Sequence, residues 1–136
     1  MKTWTEKLNS GGLHEVKPAP INIAGMKAGE IMLVPTARQV DDFIRTLPNG
    51  KHMDVQVLRK AMAKRYGAEV TCPITTGFHL RTVAEAAFEA YQQNGDVDAI
   101  TPFWRVLNAK TPTIARLSFG TDFVTEQRLK EGLKDA

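Results

Sequence analysis

The sequence predicts an α+β domain, mostly α, arranged as a winged helix-turn-helix with a short β-hairpin wing and an extended N-terminal arm. Three observations lead there. Apolar residues recur at helical spacing in successive stretches after Thr36, two of them joined by a short connector. Two β-prone runs flank a turn-rich centre after residue 100. Glycine and proline interrupt the chain repeatedly before residue 35. At 136 residues, with 43% hydrophobic and 24% charged residues, the chain has the material of one domain and the composition of a globular one. That composition excludes a disordered polymer, a collagen-like chain and a long coiled coil.

Residues 1–35 read as an N-terminal arm and short strand, and residues 36–136 as the domain proper. In the arm, Ser10-Gly11-Gly12 and Lys17-Pro18-Ala19-Pro20 break any helix, so the segment either hangs loose or is pinned through Trp4, Leu13 and Ile21. Glu30 to Pro35 is a short apolar run stopped by proline, a small strand or an extended lead-in. Thr36 and Gln39 stand at capping-box spacing before Val40, Phe43, Ile44 and Leu47, which predicts a helix over about 37–47, ended by Pro48-Asn49-Gly50. A second helix carries Val55, Leu58, Met62 and Tyr66 on one side and closes at Gly67. Its remaining surface holds Arg59, Lys60, Lys64 and Arg65, a basic side suited to phosphate contacts.

Val70 to Gly77 reads as a connector of β-branched and turn residues. It leads to a third helix over about 78–93 that buries Leu80, Val83, Ala84, Ala87, Phe88 and Tyr91 and turns Arg81, Glu85, Glu89 and Gln92 outward. Asn94-Gly95 ends it. The runs Ile100–Leu107 and Thr113–Gly120 around Asn108–Pro112 are expected to pair as the wing. A last helix from Thr121-Asp122 is expected to turn Phe123, Val124, Leu129 and Leu133 inward.

With these elements placed, the stretch from Thr36 to Leu133 resembles the DNA-binding domain of the alkylguanine-DNA alkyltransferases and of the cysteine-lacking alkyltransferase-like proteins. Leu47-Pro48-Asn49-Gly50-Lys51 is similar to the family's Ile-Pro-x-Gly-Lys, and Arg81-Thr82-Val83-Ala84 to its Arg-Ala-Val-Gly. Pro102-Phe103-Trp104-Arg105-Val106 stands where the family has Pro-Cys-His-Arg-Val, and Leu129-Lys130-Glu131-Gly132 resembles its closing Leu-x-x-x-Glu-Gly. The resemblance implies minor-groove docking, with Arg81 entering the base stack where a modified nucleotide is extruded; the residues alone equally allow a solvated surface arginine that pairs with Glu85 at helical spacing. It further implies a base pocket built from Pro102, Phe103, Trp104 and Arg105, whereas two large aromatics beside Val106 and Leu107 read more simply as core. The acceptor cysteine and its histidine are replaced by Phe103 and Trp104, which cannot accept an alkyl group, so no catalytic residue is assigned. The family's first-helix tyrosine has no counterpart, and the stretch from Arg81 to Pro102 is longer than the family's.

These readings lead to a non-enzymatic protein that binds duplex DNA, recognising alkylated or otherwise modified bases for a DNA-repair partner. The alternative is a generic winged-helix module that binds DNA or protein without lesion recognition. A third reading moves the alkyl acceptor to Cys72. The histidines His14, His52 and His79 have no metal-ligand spacing with Cys72 or one another, and no phosphate-binding glycine motif occurs, so neither metal nor cofactor is expected. Eighteen basic against fifteen acidic residues give +3, a bias towards polyanionic partners. A single cysteine fits a reducing compartment, and no signal peptide or spanning segment is read, so the expected location is cytoplasmic, without membrane partners.

Overall fold

Thr36 and Gln39 close a reciprocal cap: the Thr36 hydroxyl accepts the Gln39 amide at 3.1 Å and the Gln39 side chain accepts the Thr36 amide at 3.0 Å. The structure, a computed structural model, describes residues 3–133. Met1, Lys2 and residues 134–136, which fall within the boundaries read from sequence, lie outside the described residues. The Thr36 cap starts helix α2 (Ala37–Arg45), whose Val40 and Ile44 are completely buried. Helix α3 (Val55–Arg65) follows, started by Asp54, which accepts the Val57 amide, and it buries Leu58 and Met62. Both helices sit where the apolar spacing predicts them.

A small sheet ties the front of the chain to this pair. Strand β1 (Glu15–Pro18) runs antiparallel to β2 (Ile31–Val34), and β2 runs parallel to the two-residue β3 (Val70–Thr71). The order is β1-β2-β3, so α2 and α3 form the crossover between the parallel strands. Pro18 is tolerated because β1 is an edge strand, where a missing amide leaves no ladder bond broken. Ala19, Met26 and Met32 form a small apolar cluster beneath this sheet, apart from the main core.

The arm is pinned. Helix α1 (Trp4–Asn9) buries Leu8 and half-buries Trp4 against the main core, while Leu13 and Ile21, two of the anchors considered from sequence, are 96% and 51% exposed. Glu89 fastens the start of α1 by accepting the amides of Trp4 and Thr5 and the Thr5 hydroxyl, the last at 2.7 Å. The Thr5 hydroxyl leads in holding the Glu89 carboxyl below its usual value, against a smaller opposing effect of burial and with the two amides adding to it.

Helix α4 (Pro73–Asn94) begins five residues before the expected start at 78. Proline at the first helical position has the right φ already set, and the Thr76 hydroxyl donates back to the Cys72 carbonyl at 2.7 Å. Of the β-branched residues that suggest a connector, Ile74, Thr75 and Thr76 are thereby wound into the helix, while Val70 and Thr71 form β3. Gly95, at φ +68°, ends it in the left-handed conformation that favours glycine. The outward set is also corrected. Glu85 is buried and accepts the amide and hydroxyl of Ser118 at 2.8 and 2.6 Å.

Residues 100–120 do not form the expected wing. Phe103–Arg105 and Pro112–Arg116 are short 3₁₀ turns, and their amides bond locally, Val106 to Phe103 and Leu117 to Ile114. The burial pattern explains this. Phe103, Trp104, Val106 and Leu107 are all buried, whereas a hairpin would turn alternate residues outward. Helix α5 (Asp122–Lys130) buries Val124, Gln127 and Arg128, and Leu129, expected inward, is 73% exposed. The architecture is a mixed α+β fold dominated by helix, and among the described residues no helix is long and apolar enough to cross a membrane.

Candidate nucleic-acid interface

Glu131, just past the end of α5, gathers two distant parts of the chain. Its carboxylate accepts the Trp104 indole N–H at 2.7 Å, the Arg105 Nε and Nη2 at 2.9 Å each, and the Gly50 amide at 3.0 Å. Gly50 reaches it from a turn with φ +80°, a conformation side-chain-bearing residues rarely adopt. Arg105 completes the knot by donating to the Leu47 carbonyl at 2.7 Å. Burial pushes the Glu131 carboxyl up, but Arg105, Gly50 and Trp104 together hold it below its usual value.

Beside this knot lies a cavity of about 330 Å³ whose lining includes Pro102, Trp104, Arg105, Arg45, Lys130 and Glu131. Three of the four residues read as a base pocket therefore meet at one cavity. Phe103 does not. It is fully buried and packs among Trp104, Phe119 and Phe123, with ring centroids 5.4–6.0 Å away. Trp104 is only 3% exposed, and the Arg128 guanidinium donates to its carbonyl at 2.7 Å. Both rings belong to the core, and only an edge of the indole faces the cavity.

Arg81 is elsewhere. It lies in the ninth position of α4 rather than at the start, is not part of the cavity lining, and its guanidinium stacks over the Trp4 ring at 5.1 Å. Its Nε is buried without a hydrogen bond and lies 4.0 Å from the Glu85 carboxylate. The packing of α1 thus covers the guanidinium on one side.

The basic residues of α3 divide into two kinds. Arg59 is structural: its Nε donates to the Thr71 carbonyl at 3.0 Å, while the Thr71 hydroxyl donates to the Arg59 carbonyl at 2.6 Å, locking α3 to β3. Burial lowers its pKa, opposed by the nearby Cys72. Lys60, Lys64 and Arg65 are exposed, and among the described residues none of them forms an ion pair. Arg65 lies over the Phe43 ring at 5.2 Å.

Cys72 precedes α4, half-buried beside the small Ala19–Met26–Met32 cluster, and its Sγ accepts the Thr75 hydroxyl at 3.3 Å. It is not part of the Trp104 cavity. Sequence reasoning missed the cationic lining that Arg45 and Lys130 add. Arg45 pairs with the buried Asp41 at 3.0 Å, and the only signal for it is the i, i+4 spacing of the two residues on α2. Comparison with known protein families, with curated proteins and with solved structures finds no match to this chain.

Proposed function

We propose that the protein is a non-enzymatic binder of duplex DNA, in which α3 and α4 serve as the helix pair of a helix-turn-helix. One observation carries this reading, the segregation of charge. Residues 70–84 and residues 99–121 contain no aspartate or glutamate; they hold the exposed Lys110 and Arg116, along with Arg81, which lies beside the buried Glu85, and Arg105, which Glu131 neutralises. The Pro112–Arg116 turn packs on α4, so the two acid-free segments share a surface. The exposed Lys60, Lys64 and Arg65 of α3 add to the positive field.

The test is a salt titration of duplex binding. Affinity falls steeply with salt, and Lys64→Ala and Arg116→Ala each reduce the slope of log K against log salt by about 1 without changing stability. Absence of binding at low salt overturns the reading.

A second reading, recognition of an alkylated or otherwise modified base on behalf of a repair protein, is favoured by the cavity at Pro102, Trp104 and Arg105. A duplex carrying one alkylguanine then binds more tightly than the plain duplex. Equal affinity removes this second reading and leaves the first. Alkyl transfer to Cys72 predicts a gain of one alkyl group in intact mass after incubation with that duplex, and an unchanged mass removes it.

A further inference from the structure

Residues Ile74, Phe78, Arg81 and Glu85 recur at steps of four, three and four, so they form one row along α4, turned away from the buried stripe of Leu80, Val83, Ala84 and Ala87. The rear of this row is occupied. Trp4 covers Arg81 and the Ser118 loop covers Glu85. The front is open among the described residues: Ile74 is 53% and Phe78 62% exposed, and the Phe78 ring contacts no other described aromatic ring. Pro73, Ile74, Gly77 and Phe78 form one wall of a groove of about 350 Å³, and Pro112, Thr113 and Arg116 form the other. Gly77 keeps that wall low next to the ring, since a side chain added there would stand in open space.

Resting on the reading of the protein as a duplex-DNA binder, we propose that Phe78, supported by Ile74, is an apolar wedge that enters a base step from the minor groove and kinks the duplex. A solvent-exposed phenylalanine on a helix is costly in water, and inserting it between bases recovers both apolar burial and stacking on two π-faces. Minor-groove proteins insert such wedges where flanking cations hold the phosphates on either side. One such cation lines the groove, Arg116 on the opposite wall; the exposed Lys110 lies six residues before it in the same acid-free segment, and no acidic residue occurs in either segment that frames the groove. A cation beside exposed apolar side chains, with no acid in either framing segment, complements a polyanion better than a neutral or basic partner. The role that the family resemblance gives to Arg81 passes to the residue one turn earlier, because one side of the Arg81 guanidinium is taken up by Trp4 while Phe78 is the more exposed of the two.

The experiment uses the full chain and a 20-base-pair duplex labelled with a donor and an acceptor dye at its ends. Wild-type protein is expected to shorten the end-to-end distance on binding. Phe78→Ala is expected to bind about tenfold more weakly, with an unchanged salt slope and a straight duplex. Phe78→Leu, which keeps an apolar wedge, is expected to restore the kink, and thermal unfolding checks that both variants are folded. Binding by wild type without shortening, or a Phe78→Ala variant that bends the duplex as wild type does, overturns the wedge while leaving DNA binding intact. Failure of wild type to bind at low salt overturns both. A wild-type dimer that Phe78→Ala converts to monomer assigns the patch to a second copy of the chain, and that also overturns the wedge.

Discussion

The indole N–H of Trp104 donates to the Glu131 carboxylate at 2.7 Å, which ties the turn at residues 103–105 to the residue just past the end of α5. The geometry is that of an orienting pair without a titratable ring, because an indole N–H donates and cannot take up a proton at neutral pH. What Glu131 orients here is a rigid wall, and the same carboxylate also neutralises Arg105 in a setting where both side chains are largely buried. Structure rather than proton transfer explains why the glutamate sits there.

Removing that carboxylate strands a buried guanidinium and an indole N–H. Glu131→Ala is expected to destabilise the fold by about 3 kcal/mol, and Glu131→Gln by less, since an amide oxygen still accepts one of the bonds. Urea unfolding measures both, and the Trp104 emission is expected to shift to the red in the alanine variant before global unfolding.

Stability is expected to decline with acidification. Glu131 and Glu89 both have folded pKa values below the usual carboxylate value, so their contribution is fully present above about pH 4.5 and is lost as pH falls through the folded values. His79 acts in the same direction at higher pH. Burial lowers its pKa, opposed by its bond to the Pro35 carbonyl, so the unfolded chain takes up the proton first and stability begins to fall below about pH 6.5. Tm against pH for wild type, Glu131→Gln and His79→Gln is expected to show the histidine variant losing the upper part of the slope and the glutamine variant part of the lower.

Helix α1 is held by Leu8, by the Trp4 ring over Arg81, and by Glu89 at its start. Trp4→Ala is expected to cost about 2 kcal/mol, because the ring is only half-buried, and to release α1. Limited proteolysis is expected to cut the variant in the Ser10–Leu13 stretch well before wild type. Glu89→Gln is expected to give a smaller increase in the same cleavage.

Arg59 and Lys64 lie on the same helix yet are expected to separate cleanly. Arg59→Ala removes the Nε–H donated to the Thr71 carbonyl and leaves only the Thr71 hydroxyl bonded to the backbone of α3, which is expected to cost about 1–2 kcal/mol of stability. Lys64→Ala leaves Tm unchanged and weakens every duplex alike. Parallel Tm and duplex-binding measurements on the two variants check this division.

Local signals were enough for α2, α3 and β2. Thr36 and Gln39 cap within three residues of each other, the apolar spacing of Val40, Ile44, Leu58 and Met62 needs only a helix to become a face, and Pro35 ends β2 by itself. The positive bias is likewise a property of the chain alone. Tertiary structure decided the rest, because each case depends on a partner far along the sequence. Phe103 and Trp104 became core once Phe119 and Phe123 closed over them, which also removed the alternation a hairpin needs. Glu85 turned inward because Ser118 supplied its donors, and Arg81 was covered because α1 came back across α4. Phe78, on the same row, stayed exposed because no described segment packs over it. A helical repeat determines which residues share a row, but only the path of distant segments decides how much of that row meets solvent.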